Sequence, residues 1–395
     1  MWCDYSVLTF VRQSLLTVLF ITVFSYSYYG YTLAMQRKII HIDADCFFAA
    51  IEIRDDPCLS GLPVAVGGDI SRRGVIATCN YEARRFGVHS AMSSHHAKRL
   101  CPQLIIVPSR MAAYREASQA MREIFSDYTD LVEPLSLDEA YLDVSDSSGC
   151  QGSATLMAAE IRLRVEQALR ITVSAGVAPN KFLAKVASDW QKPNGLTVIP
   201  PSRVETFVPP LAVTRIHGVG KVTAQKLHRA GIETCADLRQ RSIFELTQLF
   251  GTFGARLYDL SYGVDERAVV ASRRRKSVSV EHTYGEDLPS LAACLAKIPE
   301  LYEQLQGRLD NLDESYRVNK AFVKIKFSDF STTTLERLSP KALICHYREL
   351  LKEAFVRGAR PVRLLGLGVR FVNLESNSNF FQLSLFNDNE KTYHT

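Results

Sequence analysis

Two apolar periods divide the chain. Lys38-Ile-Ile-His-Ile-Asp43 reads as a buried strand with an acidic last residue, followed by a helical run through Phe47, Phe48, Ile51 and Ile53. Tyr114, Ala117, Met121, Phe125 and Tyr128 recur at i+3/i+4 and predict a helix over about 110–128. Leu135-Ser-Leu-Asp-Glu-Ala-Tyr-Leu-Asp143 alternates as a strand does. Pro134 before it and the Ser/Gly run at 145–152 after it bound a hairpin-like unit over 131–144. Met157, Ile161 and Val165 mark a helix over 154–169, and 171–177 reads as another strand. The order is β-α-β-β-α-β, the ferredoxin-like arrangement, which brings the end of the first strand beside the hairpin.

An insertion over about 46–108 interrupts this unit. It holds strand-like runs at 63–66 and 74–78 and then Asn80-Tyr-Glu-Ala-Arg-Arg85, where Tyr81 and Arg84 share a face if helical. That pair could grip a polyphosphate; a surface Arg84 paired with Glu82 is the plain alternative. Pro179 opens a helix after 177, and Asp189-Trp-Gln-Lys-Pro-Asn-Gly195 is a turn carrying Lys192. Pro200-Pro201 and Pro209-Pro210 bracket a change of domain. Ile216-His-Gly-Val-Gly-Lys-Val-Thr has neither the spacing nor the Ser/Thr of a P-loop, and Thr223 breaks the dinucleotide fingerprint. It reads as two short helices joined at Gly218-Val-Gly220, exposing N–H groups to a nucleic-acid phosphate. Phe250-Gly-Thr-Phe-Gly254 is a weaker second copy. The basic run Arg273-Arg-Arg-Lys276 opens a linker. Beyond it, about 277–374 mixes strands (321–327, 364–372) with helices (291–309, 340–356), an α+β domain. A polar stretch at 373–379 then leads to Phe380-Phe-Gln-Leu-Ser-Leu-Phe386, a docking segment or a frayed strand end.

Composition adds little to this. The 395 residues allow two to four domains, and the net charge of +5 matters only where it is concentrated, as at 273–276. Nine cysteines without C-x-x-C spacing argue against a zinc site or disulfide framework and fit a reducing cytosol. Leu15 to Phe24 is mostly apolar, the shape of a weak signal peptide or marginal span, but the polar run at 25–32 dilutes it. Met35 falls just before the first convincing strand. The first 34 residues are therefore read as an extension outside the fold, translated from upstream of the start, with a membrane anchor as the alternative.

The chemistry lies in the acids. Adjacent Asp138 and Glu139 in an apolar frame repel each other, and a divalent cation is the obvious compensation. On a regular strand they would point to opposite faces, so a shared site needs a turn or bulge there. Asp43, brought alongside by the topology, is a third acid. Three converging carboxylates suit a hard-cation site and two-metal phosphoryl or nucleotidyl transfer. A cyclase would carry Gly-Gly where Leu135-Ser-Leu137 stands, a non-catalytic DNA-binding relative would lack a carboxylate, and Asp43-Ala-Asp45 alone is a weak sign of a nucleotide-sugar transferase.

Asp43-Ala-Asp-Cys-Phe-Phe-Ala-Ala, Leu135-Ser-Leu-Asp-Glu-Ala-Tyr-Leu-Asp and Ser174-Ala-Gly-Val-Ala-Pro-Asn-Lys-Phe-Leu-Ala-Lys resemble the Y-family DNA polymerases, and the likeness spans 35–386. It implies an α+β multidomain right hand: palm (35–45 and 109–200), small fingers (46–108), helix-hairpin-helix thumb (201–266), basic linker (267–276), α+β little finger (277–374) and a tail (375–395). By resemblance Asp43, Asp138 and Glu139, with the Ala44 carbonyl, hold two Mg²⁺. Phe48 is the steric gate against a ribose 2′-OH, and Tyr81, Arg84 and Lys192 bind the triphosphate. Gly218, Gly220 and Lys221, with Arg273, Arg274, Arg275 and Lys276, are expected on DNA. Gln382, Leu383, Leu385 and Phe386 resemble a peptide that docks on the replication sliding clamp. Asp45 is not a ligand in that family. The resemblance implies a monomeric, cytoplasmic, nucleoid-associated enzyme of low fidelity acting on primed template DNA with dNTPs, and no stable membrane partner.

Overall fold

The computed structural model describes residues 37–372. The N-terminal extension and the tail peptide 382–386 lie outside them. Contacts divide the chain into two compact units. Among the described residues, one holds 37–67 with Ile76–Met92 and His96–Ser272. The other holds Gly68–Val75, Ser93–His95 and 273–372.

The first unit is built on a five-stranded sheet. Its order is Val132–Pro134, Glu139–Asp143, Ile39–Ala44, Val173–Ala178, Leu196–Val198, antiparallel except for the last pair. Without the added edge strand this is the ferredoxin-like order read from the sequence. Period-two alternation gives the central strand two buried faces. Ile40 and Ile42 pack with Met121, Phe125, Met157, Ile161 and Val165 from helices Met111–Ser126 and Ala154–Leu169. Ile39 and Tyr141 face the other way, onto Phe182, Leu183 and Val186 of helix Lys181–Ser188. His41 and Asp43 share the parity of Ile39, and Glu139 that of Tyr141. Both acids therefore face helix Lys181–Ser188.

The insertion carries a small sheet in the order Ile76–Cys79, Val64–Gly67, Ile105–Val107. Its third strand was not anticipated; three residues are too short to show a period. Helix Tyr81–Arg84 is capped by the Asn80 side chain, which accepts from Ala83 N. At the glycine loop the structure corrects one expectation. A single 3₁₀ turn, Val213–Arg215, precedes Gly218-Val-Gly220, and only helix Lys221–Arg229 follows it. The supposed weaker copy joins two full helices, Ile243–Phe250 and Thr252–Ser261, through Gly251 at φ +60°.

The second unit is a four-stranded antiparallel sheet, in the order Thr332–Leu338, Val318–Phe327, Val362–Phe371, Ser277–Leu288. Its core joins Val323, Ile325, Leu365 and Leu367 to Leu301, Leu305, Tyr347 and Leu351 of its helices. The helical run at 291–309 is two helices, Leu291–Ala296 and Ile298–Leu309, because Pro299 starts a new one. Among the described residues no helix is long and apolar enough to cross a membrane.

Candidate active site

The register places Asp43 opposite Glu139 on neighbouring antiparallel strands. Facing residues of such a pair point to the same side, so the two carboxylates converge. With His41 they form the one cluster of three potential ligand groups among the described residues, all within 4.8 Å. Asp138 lies in the bend just before strand Glu139–Asp143, where a departure from regular strand was required. Its backbone carbonyl accepts from Ala44 N (2.9 Å), while its carboxylate accepts from Ser136 Oγ (2.5 Å). That carboxylate stands outside the three-group cluster and lines a small cavity with Ser118, Met121 and Arg122.

Two lysines neutralise the converging acids. Lys192 Nζ lies 2.5 Å from Asp43 Oδ1, and Lys185 Nζ pairs with Glu139 Oε2. Burial still wins at Asp43 and pushes its carboxyl up to about 6 despite Lys192. At Glu139 burial opposes ionisation, but His41 and Lys185 overturn it and hold the group at about 2. His41 is fully buried, and that burial lowers it to about 4, so the imidazole is neutral near pH 7. Its Nδ1 sits 2.8 Å from Ser188 Oγ and its Nε2 3.3 Å from Glu139 Oε2. No sequence signal marked His41 or Lys185. Only the strand register and the i+3 spacing of Lys185 and Ser188 show that both reach Glu139.

Asp45 is a structural hub. Its buried carboxylate accepts from Thr172 Oγ1 (2.9 Å), Ser174 Oγ (2.8 Å), Asn194 N (2.7 Å) and Tyr81 OH (3.3 Å). One acid thus ties Tyr81 to the loop that carries Lys192. Arg84 stacks over the Tyr81 ring (4.7 Å to the centroid), and its Nε donates to the Cys79 carbonyl (3.2 Å). Phe48 stacks on Tyr114 with ring centroids 4.2 Å apart and planes at 11°. Tyr114 is held in turn by Glu52, to which its hydroxyl donates (2.5 Å) and which Arg110 also binds (2.9 Å). Phe47, by contrast, is core at 2% exposure.

Around the glycine loop, Gly218 takes φ +101° with the Phe253 ring against it. Gly220 caps helix Lys221–Arg229, on whose first turn Lys221 is exposed. The basic run stands in the second unit, where Arg274 lies over the Tyr316 ring (4.5 Å) and Arg275 N donates to Tyr316 OH (3.2 Å).

A family model for the impB/mucB/samB family matches residues 42–189, and one for that family's C-terminal domain matches 275–385. A model described as the DNA polymerase-iota thumb domain matches 214–265. A DNA polymerase IV of Pseudomonas putida is 62% identical over 350 residues, covering 89% of this chain and 98% of its own. Its counterpart in Pseudomonas syringae pv. syringae is 61% identical over 351 residues, covering 89% and 99%. Among solved structures, a Y-family DNA polymerase chimera, Dbh-Dpo4(243-245)-Dbh, superposes with a TM-score of 0.77 at 29% identity, over 84% of this chain and 98% of its own. An insertion ternary complex of Dbh DNA polymerase gives 0.62 at 28%, over 85% and 99%. With its acids in register and its relatives matched nearly end to end, the chain belongs to the impB/mucB/samB family, the Y-family DNA polymerases.

Proposed function

We propose that the chain is a template-directed DNA polymerase of low fidelity that inserts dNTPs opposite damaged or distorted template bases. The observation that carries this reading is the in-register pair Asp43 and Glu139, with Lys192 and Lys185 on the two acids. In this reading 35–45 with 109–200 is the palm, 46–108 the fingers, 201–266 the thumb, 267–276 a linker, 277–374 the little finger and 375–395 the tail.

Carboxylate and carbonyl oxygens are the donors a hard divalent cation takes. Asp43, Asp138, Glu139 and the Ala44 carbonyl would hold two Mg²⁺, with Asp138 turning from Ser136 to join them. Bound Mg²⁺ supplies charge neutralisation on the triphosphate and lowers the pKa of the attacking primer 3′-hydroxyl. Positioning falls to the chain itself. Neutral His41 lies behind Glu139, with its Nε2 within 3.3 Å of Oε2. Arg84, stacked on Tyr81, would present its guanidinium to phosphate oxygens, and Tyr81 would join it by turning its hydroxyl from Asp45. Lys192 adds a third donor from the opposite loop. Phe48 lies flat on Tyr114 beneath the sugar, where a 2′-OH would overlap it.

Gly218, Gly220 and Lys221 grip DNA through phosphates, as do Arg273, Arg274, Arg275 and Lys276, and they read no bases. Gln382, Leu383, Leu385 and Phe386 dock on the sliding clamp. The enzyme works as a monomer in the cytoplasm. Asp138→Asn tests the site assignment: primer extension should fall by at least about 10³-fold, a loss of ~4 kcal/mol of transition-state stabilisation. Duplex DNA binding, measured by anisotropy, should persist. A variant that extends at near the normal rate sinks the assignment.

A further inference from the structure

Lys185 stands between two sites. Its ammonium pairs with Glu139, and its stem lines a cavity of about 240 Å³ together with Asp189, Arg215, His217, Gly218 and Val219. All of these belong to the first unit. Arg215 and Asp189 face the cavity with opposite charges, and His217, whose pKa burial lowers, adds a neutral imidazole; Lys185 would supply the excess positive charge on leaving Glu139. The cavity also borders the loop at Gly218, whose φ of +101° lets the backbone turn there against the Phe253 ring. A lysine is a compact point charge on a flexible stem, so its ammonium can swing from one anion to another. Lys185 sits on Glu139 Oε2, so a metal drawn to the same carboxylate meets a neighbouring positive charge and binds less tightly while the pair is closed.

We propose that Lys185 is the resident counter-cation of Glu139 and that a DNA phosphodiester draws it into the cavity beside Gly218. DNA binding and metal binding then favour each other. The inference rests on the polymerase reading and adds to it a residue and a phosphate subsite. In the DNA-free enzyme Lys185 holds the carboxylate and keeps metal affinity low. When a phosphate enters the cavity, the ammonium turns to the phosphate oxygen and Glu139 is released to the metal. No bond is made or broken. Coupling of this kind is reciprocal, so metal must tighten DNA by the factor by which DNA tightens metal.

Mn²⁺ binding followed by the EPR signal of the free ion tests this without any turnover, using the full chain and a primer–template ended in a dideoxynucleotide. For the unaltered enzyme, DNA should tighten Mn²⁺ by about fivefold or more, the lower end of typical coupling. Lys185→Gln should bind Mn²⁺ more tightly than the unaltered enzyme when DNA is absent and gain less from adding it. Lys185→Arg, which keeps the charge, should behave like the unaltered enzyme. Equal Mn²⁺ affinity for the DNA-free Gln variant and the DNA-free unaltered enzyme would overturn the proposal. So would an unaltered enzyme whose Mn²⁺ affinity ignores DNA, a result that does not depend on any variant folding. No Mn²⁺ binding even with DNA and dNTP would overturn the polymerase reading itself, and the proposal with it.

Discussion

Burial holds the Asp43 carboxyl up at about 6, so its ionised form is disfavoured in the metal-free fold. The sign of the consequence follows from linkage. The unfolded chain ionises this group near pH 4, whereas the folded chain keeps it protonated until about 6. Stability therefore falls between those values as pH rises, and the deficit is fully present above about 6. A two-unit shift corresponds to at most ~2.7 kcal/mol, a figure already net of the Lys192 attraction. Asp43→Asn should thus stabilise the metal-free enzyme by about 1 kcal/mol at pH 7.5, a rise of a few degrees in melting temperature. The gap over the unaltered enzyme should close as pH falls towards 4. Calorimetry in EDTA reads both, and an Asn variant that melts lower at pH 7.5 contradicts the burial argument. Glu139 behaves oppositely: held at about 2, its stabilisation is present above about 4.5 and is lost only as pH falls through 2.

At the scale of elements, helix Phe47–Asp55 sends Phe47 into the core and leaves Phe48 half-buried on Tyr114. Phe48→Ala should raise the rNTP/dNTP incorporation ratio by at least about tenfold, since removing a steric overlap worth ~1.4 kcal/mol already does so. Single-nucleotide insertion kinetics measure it, and an unchanged ratio removes Phe48 from the gate. The elements the sequence revealed are those with a sustained apolar period. The helix from Ala154 to Leu169 and the stripe from Tyr114 to Phe125 stand where the pattern put them. Strand Thr332–Leu338 was invisible because it is an edge: alternate residues are exposed and the rest only partly covered, so no apolar alternation marks it. Strand Ser277–Leu288 hid for a related reason, with Val278, Val280 and Leu288 its only buried residues. The acids were legible because carboxylates in an apolar frame demand an explanation. Lys192 was named from its turn and by resemblance, but its pairing with Asp43, like that of Lys185 with Glu139, was not legible, because both lysines meet the acids only through strand register and a turn.

Across the whole molecule the two units divide the work, one carrying the carboxylates and the other the basic run. The peptide Phe380-Phe-Gln-Leu-Ser-Leu-Phe386 adds Leu383, Leu385 and Phe386 as apolar anchors, each worth roughly 1.5–3 kcal/mol when buried, less the cost of ordering the segment. Deleting residues 380–395 should leave distributive extension on bare primed DNA unchanged and remove the processivity gained from a loaded clamp. Full stimulation of the truncated enzyme would place docking elsewhere. The central claim is nucleotide addition directed by a template at a metal-dependent carboxylate site. Primer extension tests it most directly, with each dNTP supplied singly, on an intact and a damaged template, in Mg²⁺ and in EDTA. The account predicts addition in Mg²⁺ on both templates, with the templated dNTP favoured but mispairs readily made, and none in EDTA. Addition that ignores the template base, or that persists in EDTA, would contradict it.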